Sequence, residues 1–256
     1  MMDSTNKLGT DLLVLGLVNA YWFIGLAVFL VLAAFKGLPH SARFDKLSKS
    51  RVLPRFILEY GYWQLNAQVK IFRVLGFTPD MVTVLSLLLA AGGAVLIGMG
   101  KFGIGGWLMF LSFFCDAFDG ILARQMGIAS NRGEFFDSVI DRYADVVTGL
   151  GFLYYYRNDP IGAPASALLI LGSTVMGYAK AKGEAMGIDP NVGIMQRHER
   201  AVYLGGSTVL APFVAHFLER GAAEPRYHLV LLALVLVAFF TNLTSVWRIA
   251  YVMRRM

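Results

Sequence analysis

Along the chain, apolar stretches of 19 to 25 residues alternate with short polar segments that are mostly basic. Seven such stretches stand out, at about 11–35, 81–100, 104–126, 134–156, 162–186, 200–218 and 228–252. At 1.5 Å per residue each is long enough, as a helix, to cross about 30 Å of hydrocarbon. None shows the alternating period of a membrane β-strand. The first is too long for a signal-peptide core and lacks a basic leader, so it is predicted to stay as an uncleaved helix. Residues 36–80 read differently. There "RVLPRFILEYGYWQLNAQVKIFRVLGF" interleaves aromatic and apolar positions with Arg51, Arg55, Lys70 and Arg73, which predicts an amphipathic helix lying in the membrane interface. The pattern therefore predicts an all-α polytopic membrane protein. Residues 1–50 would form an N-terminal transmembrane helix with a basic linker, and residues 51–256 the membrane domain.

Composition agrees with this. Of 256 residues, 57% are hydrophobic and 16% charged, against about half and a quarter in soluble domains. The single cysteine, Cys115, excludes an internal disulfide and lies in an apolar stretch, where packing is its expected role. The net charge of +6 does not point to nucleic acid, because the charges gather on one side of the spans, as expected for contact with anionic lipid or a phosphorylated substrate. With the N-terminus outside, 17 of the 23 Lys and Arg fall in the inner segments and five in the outer ones, with Arg142 inside a span. This asymmetry predicts a cytoplasmic C-terminus in a bacterial-type inner or cell membrane.

Against that background, "FFCDAFDGILARQMGIASNRGEFFDSVIDRYADVV" (113–147) is anomalous, because it sets five aspartates among apolar residues. The third and fourth spans are expected to form a hairpin turning near Ser130, which brings Asp119 and Asp141 to similar depth. Asp116 and Asp119 are spaced i, i+3 and Asp137 and Asp141 i, i+4, so each pair shares a helix face. Like charges so placed repel strongly at low dielectric. Protonation, pairing with Arg124 and Arg142, or divalent cations could offset this. Two arginines cannot neutralise four or five carboxylates, and an all-oxygen donor set suits Mg²⁺, Mn²⁺ or Ca²⁺. Gly120 and Ala123 leave room beside the carboxylates for a flat group. Gly133 opens the next helix, where backbone N–H groups favour phosphate. Close helix packing is the competing reading of these small residues.

Residues 116–141 follow the pattern D-x2-D-G-x2-A-R-x8-G-x3-D-x3-D. This resembles the signature of the CDP-alcohol phosphotransferase family at every fixed position, and the likeness extends through the six spans after residue 78. The resemblance implies a six-helix core, to which the first span is an addition. It implies that Asp116, Asp119, Asp137 and Asp141 hold two divalent metals, Mg²⁺ or Mn²⁺, with Asp141 also the base that deprotonates the acceptor alcohol. It further implies that Pro79, Asp80, Met81, Val82 and Thr83 of "TPDMVT", together with Gly120, Ala123, Arg124, Ser130 and Gly133, contact a CDP-linked lipid such as CDP-diacylglycerol. A homodimer is also implied. Asp145 lies outside the signature, one turn past Asp141, and is expected to support its neighbours or pair with another helix.

Two basic stretches bear on the acceptor, "GYAKAKGEAMG" (177–187) and "GIMQRHERAVYLG" (193–205). They resemble the phosphatidylinositol phosphate synthase branch, which implies that Lys180, Lys182, Arg197 and Arg200 bind a phosphorylated polar alcohol, inositol phosphate. His198 and Lys182 depart from the residues usual there. Ordinary positive-inside anchoring would also explain the charges. Serine, inositol and glycerol 3-phosphate remain alternative acceptors, the last disfavoured because no Gly-Lys-x-Lys-Thr stretch follows the fourth span. A divalent-cation transporter is the alternative of another class, since intramembrane carboxylates also mark ion pathways. His216 and His228 receive no role.

Overall fold

The computed structural model describes residues 4–36, 59–60, 63, 69, 72–219 and 225–256. Seven long helices make up most of them: α1 (Ser4–Lys36), α2 (Pro79–Gly98), α3 (Phe102–Gln125), α4 (Asn131–Tyr155), α5 (Gly162–Ala185), α6 (Arg197–Leu218) and α7 (His228–Met253). No strand occurs among the described residues. Each predicted span falls on one helix. Five of them, α2, α3, α5, α6 and α7, are long and apolar enough to cross a membrane by length and composition. Helix α4 is not, because it carries Arg132, Glu134, Asp137, Asp141, Arg142 and Asp145. The predicted interfacial helix lies mostly outside the described residues; those described between 59 and 74 are helical.

Local signals set the helix ends. Thr78 caps α2, its hydroxyl accepting from the Met81 N–H at 3.3 Å, with Pro79 in the first helical position. Ser130 caps α4 in the same way through the Gly133 N–H, at 3.2 Å. Helix α3 ends at Gly127, whose φ of +69° lets the Ile128 N–H turn back to the Ala123 carbonyl.

Helices α2 to α7 form a closed ring, in which α3 packs on α2, α2 on α4, α4 on α5, α5 on α7, α7 on α6 and α6 back on α3. The expected hairpin of α3 and α4 is antiparallel, but α2 wedges between the two helices and they hardly touch along their lengths. The wedge is tight, since a Cβ on Gly151 of α4 would come within 2.6 Å of the Ala94 carbonyl oxygen of α2. The facing sides of α3 and α4 are thereby left open to the interior. Outward, α2 and α7 expose Leu88, Val95, Phe239 and Val246, as expected of surfaces meeting lipid rather than water. Helix α1 stands outside the ring. Trp22 stacks on Trp107 and Phe114 of α3, and Tyr60 donates to the Trp22 carbonyl at 2.6 Å. Cys115 is buried among Val82, Phe118 and Leu122 and serves packing.

At the end of the ring where α2, α4 and α6 finish, polar groups fasten the connections. Asp159 accepts from the Ile161 and Gly162 N–H groups and from Arg226 Nε at 2.6 Å. The Arg226 bond, aided by the two N–H groups, holds its carboxyl down at about 2. Glu219 accepts from the N–H groups of Arg226, Tyr227 and His228. Burial opposes its charge, and these bonds outweigh burial to keep its carboxyl below the usual range.

Candidate active site

At the other end, three helices converge their charges. Helix α3 supplies Asp116 and Asp119, α4 supplies Asp137, Asp141 and Asp145, and α6 supplies Arg197 and Arg200. Carboxylate oxygens of Asp116, Asp137 and Asp141 lie within 4.8 Å of one another. Arg197 Nη1 bridges two of them, 2.5 Å from Asp116 Oδ2 and 2.7 Å from Asp141 Oδ2. Asp116 and Asp141 therefore share one guanidinium nitrogen, and Asp137 Oδ1 is buried with no hydrogen-bond partner among the described residues. A buried carboxylate oxygen left bare is costly unless something else satisfies it. An all-oxygen donor set with a bare oxygen fits a hard divalent cation.

Asp119 is turned away from this triad. It is 4% exposed, and the Thr83 hydroxyl of α2 donates to its Oδ2 at 2.6 Å. With Asp137 it forms one wall of a cleft of about 770 Å³, closed by the N-termini of α2 and α4 and the end of α3. Thr78, Pro79, Asp80, Gly120, Ala123, Arg124, Ser130 and Gly133 line it too. Nearly every residue assigned to the CDP-linked lipid from sequence thus faces one cleft. Met81 and Val82 do not line it, Met81 being 50% exposed and Val82 fully buried in the α2–α3 core. The glycines here are not helix-packing glycines. The first atoms a Cβ on Gly120 would meet belong to the Arg124 guanidinium, and for Gly133 only Ser130 Oγ comes near. Their lack of side chain widens the cleft.

The role of Asp145 is visible in its partners. Arg200 Nη2 lies 2.8 Å away, Arg142 Nη1 3.4 Å and Arg197 Nε 3.8 Å. It is the anchor of an arginine cluster that joins α4 to α6. Arg142 also donates to the Ser173 carbonyl of α5. Arg197, Arg200 and Asp145 border a small cavity of about 70 Å³ with Ser112 and Ser173. Arg197 and Arg200 thus come directly to the aspartates. Lys180 and Lys182 are exposed near the end of α5, where Lys180 pairs with Glu184 at 3.7 Å.

The structure adds residues that the sequence reading passed over. Arg197 stands in the first turn of α6, fixed by a reciprocal cap between Gln196 and Glu199 and followed by a π-helical turn, Ala201–Gly205. The loop before it is held by α7. Thr244 Oγ1 accepts from the Ile194 and Met195 N–H groups, and buried Arg248 donates through Nε to the Val192 carbonyl. Arg248 is the one arginine in the apolar sequence of α7. That isolation was the available signal.

Residues 77–253 match the CDP-alcohol phosphatidyltransferase family. The chain belongs to that family, and with its apolar helices it is a multi-pass integral membrane enzyme, a CDP-alcohol phosphatidyltransferase. Among its relatives is the phosphatidylinositol phosphate synthase of Streptomyces avermitilis, 33% identical over 184 residues, which are 70% of this chain and 73% of that protein. The fold is similar to crystal structures of the phosphatidylinositol phosphate synthase PgsA1 of Mycobacterium tuberculosis. One, in complex with manganese and citrate, has a TM-score of 0.64 at 25% identity, covering 74% of this chain and 88% of that one. Another, with CDP-DAG bound, has a TM-score of 0.62 at 26% identity, covering 73% and 92%.

Proposed function

We propose that the chain transfers the phosphatidyl group of CDP-diacylglycerol to a phosphorylated polar alcohol, inositol phosphate, and releases CMP. The observation that carries this is the single cleft that gathers Asp119, Asp137, Gly120, Arg124 and Ser130, with the Asp116–Asp137–Asp141 triad and Arg197 behind it. The names of the relatives support the donor and the acceptor. A cation pathway would spread its carboxylates across the depth of the bundle, whereas these are grouped at one end.

In this reading the cleft residues on α2, α3 and α4 hold the cytidine diphosphate, with the Arg124 guanidinium toward phosphate oxygens. Asp116, Asp119, Asp137 and Asp141 hold two Mg²⁺ or Mn²⁺ ions, which when bound neutralise the pyrophosphate and polarise its phosphorus. Thr83 fixes the direction of the Asp119 carboxylate. Arg197 and Arg200, with Lys180 and Lys182 of α5, orient the acceptor through its phosphate. Asp141 accepts the proton of the attacking hydroxyl as the new oxygen–phosphorus bond forms. The bond to the cytidylate oxygen breaks, and CMP leaves. The excess of basic residues on the segments at the aspartate end supports a cytoplasmic active site, with the N-terminus outside. A homodimer, and the division at residue 50 between an N-terminal helix with its linker and the membrane domain, belong to the same reading.

The test is CMP release by purified protein given CDP-diacylglycerol, Mn²⁺ and, in parallel, inositol 1-phosphate, inositol, serine or glycerol 3-phosphate. Release with inositol 1-phosphate is expected to exceed the others. Release with serine or inositol alone would replace the acceptor, and none with any acceptor would overturn the reading.

A further inference from the structure

The Arg197 guanidinium fills the space between Asp116 Oδ2 and Asp141 Oδ2. A small divalent ion such as Mg²⁺ bonded to both oxygens would stand about 2.0–2.1 Å from each, in the volume that Nη1 takes up. The guanidinium and such an ion are therefore alternatives. Arg197 also has a second place to go. Its Nε is already 3.8 Å from Asp145 Oδ1, and its side chain borders the cavity shared with Arg200, Ser112 and Ser173. A turn of the side chain toward that cavity frees Asp116 and Asp141 while keeping the guanidinium beside a carboxylate. The backbone beneath is fixed by the Gln196–Glu199 cap, so the motion is confined to the long flexible side chain.

We propose that Arg197 is a built-in competitor of the divalent cation, and that its withdrawal toward Asp145 couples cation binding to anion binding. This rests on the reading above, in which the triad holds metal. A phosphate group that draws Arg197 into the arginine-lined cavity relieves the competition. Cation and phosphate then each tighten the binding of the other, by the same factor, because coupling between two sites is reciprocal. The enzyme would thereby complete its metal site most readily when a phosphorylated acceptor is present.

The experiment is Mn²⁺ titration of the purified full-length protein in detergent, with free Mn²⁺ read from its electron paramagnetic resonance signal, so that chelation by added anion does not count. Wild type, Arg197→Gln and Arg197→Lys are compared, each with and without inorganic phosphate. Arg197→Gln is expected to bind Mn²⁺ about fivefold or more tightly than wild type, and phosphate to tighten Mn²⁺ binding by wild type about as much. In Arg197→Gln the phosphate effect disappears. A merely structural arginine would show the opposite sign, with weaker Mn²⁺ binding on its removal. Equal or weaker binding by Arg197→Gln, or no phosphate effect on wild type, overturns the proposal while leaving the metal site standing. Absence of Mn²⁺ binding by wild type overturns both. If Arg197→Gln does not fold, the wild-type phosphate effect and Arg197→Lys, whose ammonium bridges the two carboxylates less well, still decide it.

Discussion

The two ends of the helix ring hold carboxylates in opposite conditions. At one end, Asp159 and Glu219 have donors for most of the four lone-pair sites of a carboxylate. Glu219 takes three backbone N–H groups and stands 3.0 Å from the His228 ring, and Asp159 takes two N–H groups and Arg226. At the other end, Asp116 and Asp141 share one nitrogen of Arg197, and Asp137 Oδ1 has no partner among the described residues. The same residue type is satisfied by the fold in one place and left short in the other. The shortage is what distinguishes a site from a structural joint: donors missing from the protein leave a position that a cation can fill. Asp145 sharpens the contrast. It sits one turn from Asp141, yet three arginines surround it and it belongs with the structural carboxylates.

The largest effect should come from the under-supplied end. Asp141→Asn is expected to slow CMP release by about 10²–10⁴-fold, the contribution of a positioned proton acceptor. Its melting temperature in detergent should hold or rise, because repulsion within the triad is relieved. Asp145→Asn should behave oppositely in kind. It strips buried Arg200 of its carboxylate, and a buried pair broken on one side costs about 3–5 kcal/mol, read as a fall in melting temperature. Thr83→Val removes the hydroxyl that aims Asp119. A hydrogen bond to a charged group contributes about 1.5–3 kcal/mol, so CMP release should drop by about tenfold to a hundredfold with the fold intact.

The smallest effect belongs to the well-supplied end. With its carboxyl held at about 2 by the Arg226 hydrogen bond and the backbone N–H groups, Asp159 gives its full stabilisation above the ordinary carboxylate value. It loses that stabilisation as pH falls from there through about 2. Wild type should therefore lose melting temperature on acidification below about pH 4, and Asp159→Asn should lack that part of the loss while starting lower at neutral pH. A variant with an unchanged acid profile would show that the joint does not act as described.

Much of this was legible in the sequence because membrane helices leave a coarse signal. The apolar runs gave seven helices, and the aspartate spacing marked helix faces from which Asp116, Asp137 and Asp141 come together. Helix α4 was found by its place between turns rather than by its hydropathy, which its charges lower. Three features were not legible. The wedge of α2 between α3 and α4 depends on close approach at Gly151, which looks in sequence like any membrane glycine. Asp119 parts from the other aspartates because Thr83, 36 positions earlier, takes hold of it. The partners of Asp145 lie on α6, 55 positions away in the case of Arg200, and no local spacing announces them. The support that Thr244 and Arg248 give to the loop before Arg197 is of the same long-range kind. Where a residue's role is set by its own helix, the pattern reveals it, and where it is set by a neighbour across the ring, only the fold does.

The comparison between the ends is tested most directly by how Mn²⁺ changes melting in detergent. We expect added Mn²⁺ to raise the melting temperature of wild type and of Asp159→Asn alike, and to leave the triple variant Asp116→Asn, Asp137→Asn, Asp141→Asn unmoved. A rise that persists in the triple variant, or one that vanishes in Asp159→Asn, would contradict the account.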